Sequence, residues 1–166
     1  TKVINIEDLP FDVMNCSDPF VFKGYMYLYA TPKESAAKTD SGVSCDLARF
    51  WYTLDGIVWL FVNILLYDNF GISVSPQYTD FFVVLGVLYM FGYFMGASTK
   101  VDGVAEEGEY LCFSKNVSNW KTGPSLEDLG LGYDGKDGFE LNGKMYIMYA
   151  PWDGDPIVKV VENTAD

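Results

Sequence analysis

The sequence contains no histidine. Without an imidazole, Ser-His-Asp triads, histidine-ligated metals and histidine acid–base chemistry are excluded within these 166 residues. Positive charge is scarce as well. Lys and Arg total 11 against 23 Asp and Glu, a formal net charge of −12, and no basic cluster occurs anywhere. Nucleic acid and anionic membranes both demand a basic patch, so neither is expected as a partner. The acidic balance suits a soluble secreted protein, or one that binds neutral or cationic ligands, and the expected location is extracellular, secreted or at the cell surface. Cysteine is limited to Cys16, Cys45 and Cys112, too widely spaced for a metal motif. One disulfide with a leftover thiol and three buried thiols both fit that count. No metal and no cofactor is expected.

Long apolar runs are nearly absent too. Residues 81–99 carry no charge and approach the ~20 apolar residues of a spanning helix. Gly86, Gly92 and Gly96, among β-prone aromatics, fit strands better, so no membrane span is expected. No signal peptide is visible at Thr1, so a secreted protein would stand here in its mature form. Asn15-Cys16-Ser17 and Asn116-Val117-Ser118 are glycosylation sequons, which matter only in a eukaryotic secretory setting.

What the sequence does have is aromatic residues, 17% of the total, and they recur in order. FVFKGYMYLYAT (20–31), FVVLGVLYMFGY (82–93) and FELNGKMYIMYA (139–150) align without a gap. Each opens on Phe (Phe20, Phe82, Phe139), places Gly four residues later (Gly24, Gly86, Gly143) and Tyr three after that (Tyr27, Tyr89, Tyr146). An apolar run, a turn with Gly at its end and an aromatic run describe a β-hairpin. A second marker keeps step: Thr53 and Ser114 each stand six residues before a tryptophan, Trp59 and Trp120. A repeat of about 60 residues, four strands and a loop, is the size of a propeller blade. The expected fold is all-β, a β-propeller of four-stranded antiparallel blades with about three blades in this chain.

Residues 1–166 are read as one partial propeller domain, with blades at approximately 18–66, 78–125 and 134–166. In the first, 48–54 is the third strand, Asp55-Gly56 the turn and 57–65 the outer strand. In the second, 109–115 is the third strand and VSNWKTG supplies the last turn and outer strand. In the third, 156–162 is the third strand and no outer strand follows. Pro10–Ser17 reads as a connector. Residues 1–9 are a candidate closing strand, or one donated to a neighbouring copy, giving self-association through the N-terminal strand.

Asp18, Asp80 and Asp137 stand two residues before the repeated Phe. In a propeller those positions converge on the central axis, where three carboxylates cannot all ionise cheaply. A protonated carboxyl beside an ionised one is what glycoside hydrolysis needs. Asp also caps turns entering strands, and that reading stays open. Trp51 and Trp152 have no partner in the repeat and are candidate substrate-binding platforms. Ordinary loop or core packing is their alternative, as it is the simplest reading of Trp59 and Trp120. Asp153 and Asp155 flank a glycine but fall short of the ~6–8 oxygens calcium wants.

SDPFVFKGYMYLYAT (17–31) resembles the first blade of the five-bladed glycosidases of glycoside hydrolase family 43 and their arabinanase and levansucrase relatives. FSKNVSNW and YTLDGIVW resemble the outer-strand signature of that family, and NGKMYIMYAP its inner hairpins. The resemblance implies that Asp18, in Asp18-Pro19, is the general base and that the substrate is a polysaccharide cleaved with inversion. It implies a general acid in the frame of Asp137-Gly138-Phe139, with Asp134-Gly135-Lys136 competing, where the family has Glu-Gly-Pro. Gln77 stands where the family has the carboxylate that tunes the acid, and Asp80 offers that charge three residues on. Two functions follow: a glycosidase-like propeller, or a non-catalytic extracellular module that binds carbohydrate or forms filaments.

Overall fold

The computed structural model describes residues 5–33, 49–62, 77–94, 108–132 and 135–161. A 3-10 turn at Ile6–Asp8 precedes β1 (Phe11–Cys16), β2 (Phe20–Phe22), β3 (Tyr25–Pro32), β4 (Arg49–Thr53) and β5 (Leu60–Val62). These form sheet I in the order β1-β3-β4-β5, with β2 also paired to β3. Sheet II follows chain order through β6 (Gln77–Val84), β7 (Val87–Phe94), β8 (Gly108–Ser114) and β9 (Trp120–Ser125). Sheet III holds β10 (Gly135–Leu141), β11 (Lys144–Ala150) and β12 (Ile157–Val161). Every pairing is antiparallel.

The repeated glycine closes the same turn three times. Lys23-Gly24, Leu85-Gly86 and Asn142-Gly143 all have positive φ at both residues, 49° and 83°, 49° and 74°, 52° and 74°. That is the type I′ turn, whose twist matches the flanking strands and whose second position suits glycine. Register then aligns the aromatics: Phe20 opposite Tyr27, Phe82 opposite Tyr89 and Phe139 opposite Tyr146. Each pair stacks, with centroids 5.4–5.6 Å apart.

Sheet II is apolar on both faces because it packs between sheets I and III. The face of sheet I carrying Phe20, Phe22, Tyr29 and Phe50 meets Leu88, Met90, Cys112 and Trp120 of sheet II. The other face of sheet II, with Phe82, Val84, Phe91 and Leu111, meets Met145 and Ile147 of sheet III. Phe50 stacks on Trp120 at 5.6 Å. A Cβ at Gly138 would collide with the Phe82 ring, so glycine there lets β10 lie against sheet II. At the inner edge β6 touches both β2 and β10. Three successive antiparallel sheets, stacked face to face with their first strands side by side, are a run of propeller blades around a hub.

Three sequence expectations change. Pro10–Ser17 is not a connector: Phe11 pairs with Pro32 and Cys16 with Ala30, so β1 continues the inner edge of sheet I beyond β2. Phe11 anchors it, buried against Trp51 and Trp59. Within residues 1–9, Ile6–Asp8 is a 3-10 turn rather than extended strand, and residues 1–4 lie outside the described set. Asp55-Gly56 does not form a two-residue turn. Asp55 Oδ1 accepts from the N–H of Ile57 and Val58 (2.8 and 3.0 Å) and from Thr53 Oγ1 (3.1 Å), organising the longer loop between β4 and β5. Asn116 does the same for Ser118, Asn119 and Ser114 in sheet II. That is why Thr53 and Ser114 recur before the tryptophans.

Of the cysteines, Cys16 is exposed and Cys112 buried, both as free thiols. Cys45 lies outside the described residues, as do 63–65 of the first outer strand. Among the described residues no helix is long and apolar enough to cross a membrane, and 81–94 are the β6–β7 hairpin.

Candidate functional site

Each repeated aspartate lies on the first strand of its sheet, and local backbone breaks aim two of them. The inner edge of sheet I is interrupted between β1 and β2 at Ser17-Asp18-Pro19. Pro19 has no N–H to give the ladder. Ser17 bridges the gap instead, its N–H donating to Tyr29 O (2.8 Å) and its Oγ accepting from Tyr29 N (2.9 Å). Asp18 is thereby left exposed at the kink. Asp80 follows a register irregularity between Gln77 and Asp80, and it faces Phe91. Bulges re-aim side chains in this way. Asp137 lies in regular ladder opposite Met148, its Oδ1 accepting from Gly138 N at 2.8 Å.

Asp80 feels the other two carboxylates. Asp80 is pushed above the usual carboxylate range, first by desolvation and then by the negative charges of Asp137 and Asp18, while Lys136 pulls the other way. Asp80 is nonetheless exposed as a residue. Asp80 therefore lies within electrostatic reach of both Asp137 and Asp18. Among the described residues, however, no three such ligands gather tightly enough to hold a metal ion.

Two residues of this neighbourhood went unnoticed in the sequence. Lys136 Nζ pairs with Glu109 Oε1 at 2.8 Å, with side chains only 4% and 5% exposed. Lys136 also lies 5.7 Å over the Phe91 ring. The pair bolts the start of β10 to the start of β8, and its cation is the positive charge felt by Asp80. Burial pushes the Glu109 carboxyl up, opposed by the hydrogen bond and charge of Lys136. The available signal was a lysine directly before one repeated aspartate, where the other copies have Ser17 and Thr79.

The two tryptophans part company. Trp51 is 5% exposed, its ring N–H donating to Ala30 O at 3.1 Å, on the face of sheet I turned away from sheet II. It is a core residue and does not join the aspartates, correcting its assignment as a sugar platform. It borders a cavity of about 430 Å³ with Lys33, Arg49 and Phe61, also on that face. Trp152 is 94% exposed in the loop between β11 and β12. Because Ala150 pairs with Gly135, that loop lies at the end of sheet III where β10 begins, the end that carries Asp137. Asp134, the competing acid, lies outside the described residues.

No protein-family model matches the chain, and no curated protein matches it. Several solved structures do. One is Zg3597, a family 117 glycoside hydrolase produced by the marine bacterium Zobellia galactanivorans, at 16% identity and TM-score 0.45, covering 81% of this chain and 47% of that one. A second comes from work on the GH130 family of mannoside phosphorylases, which contains glycoside hydrolases that target β-1,2 mannosidic linkages in Candida mannan. It has 13% identity and TM-score 0.47 over 90% of this chain and 49% of that one. A third is a mutant of the Bombyx mori GH32 β-fructofuranosidase BmSUC1 in complex with sucrose. It has 14% identity and TM-score 0.42 over 87% of this chain and 32% of that one. The chain spans about half the length of these proteins or less.

Proposed function

We propose that the hub mouth is a carbohydrate site of glycosidase type, in which Asp18, Asp80 and Asp137 share the acid–base work of inverting glycoside hydrolysis. The observation that supports this reading is the packing of β6 against both β2 and β10, with Asp80 feeling the charges of Asp137 and Asp18. Hydrolysis needs one carboxyl that keeps its proton for the leaving oxygen and one that stays ionised to activate water. Desolvation and two anionic neighbours make Asp80 the better proton holder, so it is favoured as acid over Asp137. Asp18, exposed at the Pro19 kink, takes the part of base that the family 43 resemblance gave it. Extracellular placement accords with this substrate class.

Hydrolysis of aryl arabinosides and xylosides tests the proposal. Turnover should fall at least ~100-fold in Asp18→Asn and in Asp80→Asn, the scale of a lost general acid or base. Activity untouched by both substitutions would remove the site.

A second reading, a binding module without turnover, is favoured by the exposure of Trp152 at the same end of the sheets. An aromatic face open to solvent can stack on a sugar ring. In affinity electrophoresis against arabinan and xylan, retardation that Trp152→Ala abolishes, without any hydrolysis, would decide for binding.

A further inference from the structure

Strand register puts two carboxylates and a buried ring on one side of sheet II. Residues directly opposite in an antiparallel pair point to the same face, as do residues two apart along a strand. Asp80 is opposite Phe91, and Phe91 is opposite Leu111. Asp80, Phe91, Leu111 and Glu109, two residues from Leu111, therefore share the face that meets sheet III. Lys136 enters that seam from β10, two residues before Gly138, whose missing Cβ admits the Phe82 ring. Its Nζ holds Glu109 Oε1 at 2.8 Å and lies 5.7 Å over the ring of Phe91, the residue opposite Asp80. With β6 and β10 side by side, one ammonium serves two carboxylates.

Exposure separates the three. The side chains of Lys136 and Glu109 are buried, whereas Asp80 is exposed. Whatever the buried pair does for a ligand at the hub, it does through Asp80. Stacking of sheets does not require such a pair. Sheets I and II pack through Phe20, Phe50, Leu88 and Trp120 with no ion pair between them among the described residues, and Ser17 and Thr79 stand where β10 has Lys136. A buried ion pair is also a weak source of stability beside apolar packing.

We propose that Lys136 is a positioning residue of the hub site: held by Glu109 in the seam between sheets II and III, its ammonium is the internal counter-charge of Asp80. This role rests on the acid–base part given to Asp80 above. Burial and the charges of Asp137 and Asp18 favour the protonated Asp80 carboxyl, and Lys136 opposes them. Glu109 feels both Lys136 and Asp80, so the two carboxylates compete for one cation. Without that counterweight Asp80 would hold its proton too firmly to pass it to a leaving oxygen.

Carboxyl NMR titration of Asp80 tests this with two variants of opposite sign. Lys136→Met removes the cation and should raise the Asp80 midpoint. Glu109→Gln removes the competing anion, leaves the ammonium to Asp80 and should lower it. Each shift should reach about half a pH unit, a ~3-fold change in proton affinity. Lys136→Arg, which keeps the charge, should stay near the native midpoint. If Lys136→Met does not fold, Glu109→Gln, which keeps a hydrogen-bonding partner for Lys136, decides alone. Midpoints that stay put, or that move the same way in both variants as a merely loosened seam would produce, would overturn the assignment. In the pH profile of kcat/KM on aryl glycosides, the alkaline limb, where the acid loses its proton, should follow the same two directions with KM little changed. A native chain that hydrolyses none of them would count against the acid–base role, and the titration would still decide the counter-charge.

Discussion

Two aspartates respond to acid with opposite signs. Asp80 binds its proton more readily in the folded chain than in the unfolded one, because desolvation and the charges of Asp137 and Asp18 lift its carboxyl above 3.8. Stability linked to it therefore rises as pH falls through the raised value towards 3.8. Asp80→Asn should be the more stable protein at neutral pH and lack that acid-side gain; parallel urea midpoints from pH 7 to pH 4 would refute this. Asp55 behaves in the reverse sense. The N–H groups of Ile57 and then Val58 hold its carboxylate below 3.8, so its contribution is present above 3.8 and lost as pH falls through the lower folded value. Sheet II solves the same loop with a neutral Asn116. Asp55→Asn should keep the loop and remove its acid sensitivity, visible as a flatter midpoint against pH. Leu85 offers a simpler test. Its φ of 49° strains a bulky residue that Asn would tolerate, so Leu85→Asn should add about 1 kcal/mol in urea unfolding. Asn142→Leu should subtract a similar amount.

Among the elements, the hairpins were the most legible because their chemistry is local. A type I′ turn requires positive φ at two adjacent positions, and Gly24, Gly86 and Gly143 announce it in sequence. The third strands of sheets I and II were legible from aromatic runs and that of sheet III from its β-branched run, and the loops before Trp59 and Trp120 from Thr53 and Ser114. β1 was hidden because Asp18-Pro19 breaks the inner edge and makes one interrupted strand look like a strand and a connector. Trp51 was misassigned because its side depends on register: pairing with Leu28 turns it onto the back face of sheet I. The Lys136–Glu109 pair was beyond local reading, since its members meet only when sheets II and III stack. That pair now carries a prediction. Lys136→Met leaves the Glu109 carboxylate buried without its cation and should cost about 3–5 kcal/mol. Lys136→Met with Glu109→Leu should recover much of the loss in urea denaturation; a double variant as weak as the single would mean the cation acts through other contacts.

Across the whole molecule, one repeated unit explains the fold and the site together. Stacking copies face to face buries Phe20, Phe82 and their partners between sheets and draws β2, β6 and β10 side by side. An aspartate stands two residues before each repeated Phe, and the proposed function has the same operation bring the three together. The proposed function follows from that operation at the hub. The most direct test is a carboxyl NMR titration of Asp80 in the native chain, in Asp18→Asn and in Asp137→Asn. The account expects a midpoint above 3.8 in the native chain that falls in each variant. An Asp80 midpoint that neither substitution moves would mean that the three aspartates do not share a site.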